Sequence, residues 1–149
     1  MDRWFQLAVE ETNHGLDAGT AWPFGATIVR AGEVVAVAAA ANPDSSDWDV
    51  SQHAEMVAVR RACATLRTTD LSDCTVYATC EPCPMCVSVM IWAGIRTCYY
   101  SATRDDAAEH GFSDAHLRRF MAGEDVGVIS LLPVPQRDDC ASLFTRPRS

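Results

Sequence analysis

The segment Cys80-Glu81-Pro82-Cys83-Pro84-Met85-Cys86, together with His53-Ala54-Glu55 upstream, decides how this chain of 149 residues is interpreted. Cys83 and Cys86 are three positions apart, so a helix that begins at Cys83 directs both thiolates toward one point, where they can share a metal ion. His53 offers an imidazole nitrogen as a third ligand. Three protein ligands leave a tetrahedral zinc ion with one open position for water, which is typical of a catalytic site.

Glu55 has a separate role in this pattern. Its carboxylate follows His53 by two positions, so it can lie beside the metal without binding it. Zinc lowers the pKa of its bound water from about 15.7 to about 7, and a nearby carboxylate can move the proton of that water to a ring nitrogen or to a leaving amine. We therefore expect one zinc ion per chain and the hydrolytic removal of an amine from an electron-poor ring.

Three alternative roles for the cysteines stay open on the residues alone. Cys83 and Cys86 have the spacing of a redox pair, although thioredoxin-like motifs do not require a His-x-Glu element. With Cys80 they form a ferredoxin-like run, but Met90 occupies the position of its next ligand. The strongest alternative is a structural zinc ion with Cys80 as fourth ligand, in which case the chain is an interaction domain and not an enzyme.

Composition and charge limit the class of protein and of substrate. A hydrophobic content of 48% and a charged content of 21% indicate one globular domain over residues 1–149, and no signal peptide or membrane-length apolar run is apparent. The odd number of cysteines, seven, predicts reduced thiols and a cytoplasmic location. A net charge of −8 argues against a nucleic-acid partner and favours a small substrate.

Hydrophobic periodicity predicts alternating helices and strands. The expected helices cover residues 2–18, 52–66, 83–93, 105–110, 113–122 and 136–144. The expected strands cover residues 26–30, 34–41, 74–79, 95–100 and 126–132. The strand-helix-strand order across residues 74–100 predicts a parallel pair, and the first two strands are expected to form a hairpin.

With these motifs in place, the chain resembles the cytidine and deoxycytidylate deaminase superfamily and, within it, the small bacterial guanine deaminases. Pro23-Phe24-Gly25, Asn42 eleven positions before His53, and the segment from Asp106 to Asp114 extend the resemblance beyond the zinc motif. The resemblance implies a three-layer α/β/α fold with a five-stranded mixed sheet. It also implies conversion of guanine to xanthine and ammonia, and a homodimer.

The resemblance assigns roles to individual residues. The implied zinc ligands are His53, Cys83 and Cys86. Glu55 matches the proton shuttle, and Asp114 matches an additional acid that helps the amine to leave. The residues implied to contact the base are Asn42, Phe24, Ala54 and Trp92.

Two stretches depart from the family pattern. Asp49-Val50-Ser51-Gln52 replaces the usual Asp-Pro before the ligand histidine. Guanine deaminases of this size close the pocket with an aromatic C-terminal tail exchanged between subunits, whereas here the tail lacks a terminal Tyr and Phe144 is the candidate substitute. Cytosine, a related purine or a triazine therefore stays open as the substrate, and adenosine in tRNA suits the acidic chain least.

Overall fold

The structure is a computed structural model that describes residues 2–42, 44, 48–124, 126–133 and 137–145. The helices are α1 (Arg3–Asp17), α2 (Ala54–Leu66), α3 (Pro84–Trp92), α4 (Arg104–Glu109), α5 (Ala115–Met121) and α6 (Arg137–Ser142), the last followed by a 3-10 turn (Leu143–Thr145). The strands are β1 (Ala21–Arg30), β2 (Glu33–Ala41), β3 (Cys74–Cys80) and β4 (Thr97–Ala102).

The four strands form one mixed sheet in the order β2-β1-β3-β4. β1 pairs antiparallel with both β2 and β3, and β3 pairs parallel with β4. The predicted hairpin and the predicted parallel pair are therefore confirmed. The parallel pair brings the carboxyl end of β3 next to that of β4, and the metal-binding segment begins at that edge of the sheet.

Different helices cover the two faces of the sheet. On one face the Tyr77 ring contacts Trp4 and Phe5 of α1, with ring centroids 6.3 and 5.5 Å apart. On the other face α2 and α3 pack against a core rich in small side chains. Its fully buried members include Ala26, Ile28, Ala38, Ala58, Ala62 and Val76. Alanines let the helices approach the strands closely, so α2 holds its first turn near the sheet edge.

Most of the predicted helices are confirmed, and their ends have the expected chemistry. The Asp2 carboxylate accepts a hydrogen bond from the Trp4 amide and caps α1. Thr103 and Asp106 form a reciprocal capping box at the start of α4. α5 begins at Ala115, with Asp114 before it, and not at residue 113 as predicted. Across the described ranges, no helix has both the length and the apolar character needed to cross a bilayer.

The prediction of a fifth strand was wrong for the described part of the chain. Residues 126–132 have no regular structure, and Leu131 and Leu132 are 74% and 80% exposed. An alternating apolar pattern shows that a segment has apolar surface to bury, but a strand also needs a neighbour with free backbone groups. The sheet seen here therefore has four strands, within the α/β layers that the sequence predicts.

Candidate active site

The three predicted zinc ligands meet where two helices begin. His53 directly precedes α2, Cys83 directly precedes α3, and Cys86 lies in the first turn of α3. The two sulfur atoms are 3.5 Å apart, and each lies 3.6 Å from His53 Nδ1. Zinc bonds of about 2.3 Å to sulfur and about 2.0 Å to nitrogen in a tetrahedron require separations of about 3.8 and about 3.6 Å. The donor atoms therefore fit a zinc ion.

The surroundings of Cys83 favour its thiolate. Cys83 has extended backbone angles, and Pro84 opens the helix, the position at which proline is most favourable. The pKa of Cys83 falls to about 4, first because of the hydrogen bond between its sulfur and that of Cys86, and also because His53 is hydrogen-bonded to it. The same hydrogen bond raises the pKa of Cys86, and burial adds to that effect. Zinc binding would therefore displace the proton that the two sulfurs share.

Cys80 is not part of this cluster. Among the residues that the structure describes, the side chains placed to share one metal ion are His53, Cys83 and Cys86. The Cys80 sulfur instead lies 3.6 Å from the Thr103 carbonyl oxygen. Three ligands without Cys80 leave one coordination position for water, so the geometry favours a catalytic zinc site over a structural one.

Glu55 lies beside the ligands in the first turn of α2. Its side chain is buried, and Oε2 is 3.5 Å from Cys86 Sγ. Burial raises the pKa of Glu55 above its ordinary value. A buried carboxylate at this distance from the metal ligands can accept a proton from a water in the open position and deliver it elsewhere.

The ligand cluster opens into a cavity of about 580 Å³. Its apolar wall is formed by Trp22, Phe24 and Phe112. The Phe112 ring is perpendicular to that of Phe24 at 5.1 Å and lies 5.5 Å from that of Trp22. Flat aromatic walls of this kind suit a planar heterocycle. The sequence prediction included Phe24, but it did not single out Phe112.

Asp114 lines the same cavity from the start of α5. Its carboxylate does not cap the helix and instead pairs with Arg118, whose Nε lies 3.0 Å from Oδ1 and 2.9 Å from Oδ2. Hydrogen bonding to Asp114 raises the pKa of the Arg118 guanidinium. The sequence prediction did not single out Arg118. Its four-residue spacing from Asp114 was the signal available for this contact.

The structure places two of the predicted base contacts away from the cavity wall. Trp92 is 89% exposed, because it ends α3 six residues after Cys86 and therefore lies about 9 Å further along the helix axis. Ala54 is fully buried in the core between the sheet and α2, and its side chain does not line the cavity. Within one chain, neither side chain is therefore positioned to contact a base in the cavity.

Two further predicted residues lie outside the cavity wall. Asn42 is partly buried, and its Oδ1 accepts a hydrogen bond from the Asp44 amide. Its role in binding the base stays a prediction. Phe144 is 84% exposed in the terminal 3-10 turn, and the tail after Thr145 lies outside the described residues.

Residues 1–102 match the family model of the cytidine and deoxycytidylate deaminase zinc-binding region. The chain belongs to this family. Guanine deaminase from Bacillus subtilis is 39% identical to this chain over 116 residues, which cover 78% of this chain and 73% of the relative. Together with the ligand geometry, this assigns the cluster of His53, Cys83 and Cys86 to zinc. The redox and iron-sulfur alternatives no longer apply.

Two further comparisons describe the range of relatives. The crystal structure of the Bacillus subtilis guanine deaminase matches the structure of this chain with a TM-score of 0.84 at 31% identity. The match covers 97% of this chain and 92% of the crystallised chain. A tRNA-specific adenosine deaminase from Aquifex aeolicus is 34% identical over 99 residues, which cover 66% of this chain and 64% of the relative. The fold is thus shared over nearly the whole chain, and relatives with differently named substrates share the zinc region.

Proposed function

We propose that this deaminase hydrolyses guanine to xanthine and ammonia. The observation that carries the proposal is the presence of two carboxylates, Glu55 and Asp114, on one aromatic-walled cavity beside the zinc ligands. Guanine loses its amine from C2, a reaction that needs a proton on a ring nitrogen and another on the departing amine. The similarity to the guanine deaminase of Bacillus subtilis over 78% of the chain supports the same substrate.

His53, Cys83 and Cys86 would hold the zinc ion, which when bound supplies an activated water at neutral pH. Glu55 accepts one proton of that water and passes it to the ring nitrogen next to C2. A C–O bond forms at C2 and the C–N bond to the exocyclic amine breaks. Asp114 accepts a hydrogen bond from the amine and helps the remaining proton of the attacking water to reach it. The oxygen at C2 becomes the carbonyl oxygen of xanthine, and ammonia leaves.

The aromatic wall would orient the purine. Phe24 and Phe112 meet edge to face, and both line the cavity, so that aromatic surface is available to a flat substrate. We also propose that Asn42 binds the base, as the resemblance implies. Asn42 directly follows the end of β2. Ala40, near that end of β2, pairs with Trp22 of β1, and both of these residues line the cavity.

Another aminated base is the second candidate substrate. Cytosine, a related purine or a triazine has the size and flatness that the cavity suits, and the reaction would be the same. Adenosine in tRNA is less well supported, although a relative from Aquifex aeolicus is a tRNA-specific adenosine deaminase. A net charge of −8 repels a polyphosphate backbone, which RNA-binding proteins attract with cationic surface.

The test is a metal and activity measurement on purified protein. We expect about one zinc ion per chain and release of ammonia from guanine, measured beside cytosine, adenine and the corresponding nucleosides. Glu55→Gln should keep the zinc and lower kcat by at least about 100-fold, because the proton carrier is lost. Glu33→Gln, a change at the exposed first residue of β2, is the matched control and should leave kcat unchanged. Full zinc content without turnover of any base in the panel would contradict the proposal.

We propose, in addition, a homodimer, a cytoplasmic location and one domain over residues 1–149. The dimer is supported by apolar side chains exposed on neighbouring helices, Ile91 and Trp92 of α3 and Met121 of α5, which are 69%, 89% and 67% exposed. The location is supported by the need for reduced thiols at Cys83 and Cys86, since a disulfide between them would remove both ligands.

A further inference from the structure

Arg118 joins the proposed acid of the cavity to the loop that carries the zinc ligands. Its Nε contacts both oxygens of Asp114, and its Nη2 donates a hydrogen bond to the Pro82 carbonyl oxygen at 3.1 Å. Pro82 directly precedes the ligand Cys83. The Arg118 guanidinium therefore links the start of α5 to the residue before a zinc ligand, although Arg118 and Pro82 are 36 positions apart in the sequence.

Glu81 adds a second connection on the same side. Its Oε1 lies 3.9 Å from Arg118 Nη2, and its Oε2 accepts a hydrogen bond from the Arg104 amide at 3.2 Å. The Glu81 amide in turn donates to the Ala102 carbonyl at the end of β4. Because the planar guanidinium presents its donors in a fixed fork, it can hold a carboxylate and a carbonyl in one relative position.

The Asp114 carboxylate has alternative hydrogen-bond donors close by, the first backbone amides of α5. It precedes α5, where an aspartate ordinarily accepts a hydrogen bond from the first free amides of the helix. It makes no such bond here, and the pair with Arg118 takes its place. Both side chains are largely buried, with 27% of Arg118 and 19% of Asp114 exposed, so solvent screens the pair less than it would at the surface.

We propose that Arg118 is a positioning residue that holds the Asp114 carboxylate in the cavity at a set distance from the zinc ligands. The inference rests on the proposed function, in which Asp114 assists departure of the amine. Arg118 acts through Asp114 and through the Pro82 carbonyl, and it does not line the cavity itself. Its loss should therefore affect the chemical step more than the binding of substrate.

The test compares Arg118→Gln with Arg118→Lys and with Arg119→Gln. Arg119 is the matched control, because it is adjacent and exposed and pairs with Glu124 at 2.7 Å away from the cavity. We expect Arg118→Gln to lower kcat by about 10- to 100-fold with KM within about threefold, since a small displacement of a reacting group is enough for such a loss. Arg118→Lys should restore part of kcat, and Arg119→Gln should match the wild type. Zinc content should be equal in all four proteins.

The double variant separates positioning from a general loss of structure. If Arg118 acts through Asp114, Arg118→Gln in an Asp114→Asn background should lower kcat by less than about threefold further. An equal loss in both backgrounds would overturn the inference, and so would a kcat for Arg118→Gln within about twofold of that of Arg119→Gln.

The two proposals fail in different ways. If the wild-type enzyme deaminates a different base of the panel, guanine is excluded as the substrate. The same variants are then measured on that base. If no base turns over, the proposed function fails, and a crystal structure of Arg118→Gln tests the positioning alone. An Asp114 carboxylate that keeps its wild-type position in that crystal overturns the inference, and a displaced carboxylate supports it.

Discussion

Thr27 and Glu55 are both polar residues with almost no solvent access, but only one has an evident use for its polar group. Glu55 reaches the zinc ligands, with Oε2 3.5 Å from Cys86 Sγ. Thr27 lies fully buried in the middle of β1, and its hydroxyl has no hydrogen-bond partner within the described ranges. An unpaired buried hydroxyl loses its hydrogen bonds to water on folding and gains nothing in return.

Thr27→Val is therefore expected to stabilise the protein. The change keeps the side-chain shape and removes the unpaired hydroxyl, so the free energy of unfolding should rise by about 1 kcal/mol. Urea denaturation of the zinc-loaded protein measures this, and zinc content and kcat should not change. Thr97→Val on exposed β4 is the control and should leave stability within about 0.5 kcal/mol. A lower stability for Thr27→Val would mean that the hydroxyl has a partner in solution.

At the scale of elements, the cavity wall depends on how closely α1 approaches β1. A Cβ on Gly25 would contact Thr12 Oγ1 and the Ala8 carbonyl oxygen of α1 closer than van der Waals distance. The Gly25 amide also donates a hydrogen bond to Thr79 Oγ1 at 2.9 Å, which ties β1 to β3. Phe24, the neighbour of this glycine, faces the cavity. Helix packing on one face of the sheet thus sets the position of an aromatic ring at its edge.

Gly25→Ala should disturb both stability and substrate binding. The added methyl group has backbone on one side, so α1 or β1 must shift, and the free energy of unfolding should fall by about 1–3 kcal/mol. The KM for the base should rise more than kcat falls, because Phe24 moves while the zinc ligands stay. Thermal unfolding and steady-state kinetics check these outcomes. Unchanged stability would show that the close approach of α1 is not present in solution.

At the scale of the whole molecule, charge and apolar surface act in opposite directions. The net charge of −8 keeps copies of the chain apart, and it also disfavours RNA as a substrate. Large apolar side chains nevertheless stay exposed on α3 and α5, and exposed apolar surface of this kind usually marks a contact with another protein. In the proposed homodimer, the second copy of the chain would cover Trp92 and Ile91, which do not line the cavity of their own chain.

Trp92→Glu is expected to weaken that homodimer. A buried tryptophan at an interface commonly contributes enough binding energy that its replacement by a charged residue raises the dissociation constant by at least about 100-fold. Sedimentation velocity at several concentrations should show a dimer for the wild type and a monomer for the variant, with equal zinc content. Val34→Glu, at an exposed position of β2, should remain dimeric. A wild-type protein that is monomeric at all concentrations would contradict the proposal.

Prediction from sequence succeeded where the relevant residues are close together in the chain. The spacing of Cys83 and Cys86, the helix predicted over 2–18 and the strand predicted over 74–79 rest on local features, and the structure has each of them. Prediction failed where a long-range partner decided the result. Residues 126–132 have the pattern of a strand, but in the described part of the chain no strand pairs with them.

The amino-acid sequence by itself determined which side chains are the candidate zinc ligands, because ligand type and spacing are local features. The ligand geometry and the family match then excluded the alternative roles of the cysteines. Only the tertiary structure decided what surrounds that site. It brings Phe112 against Phe24 and Arg118 against the Pro82 carbonyl, contacts between segments far apart in the chain. Such contacts depend on how α5 and its preceding loop pack against the sheet edge, which no local pattern of residues encodes.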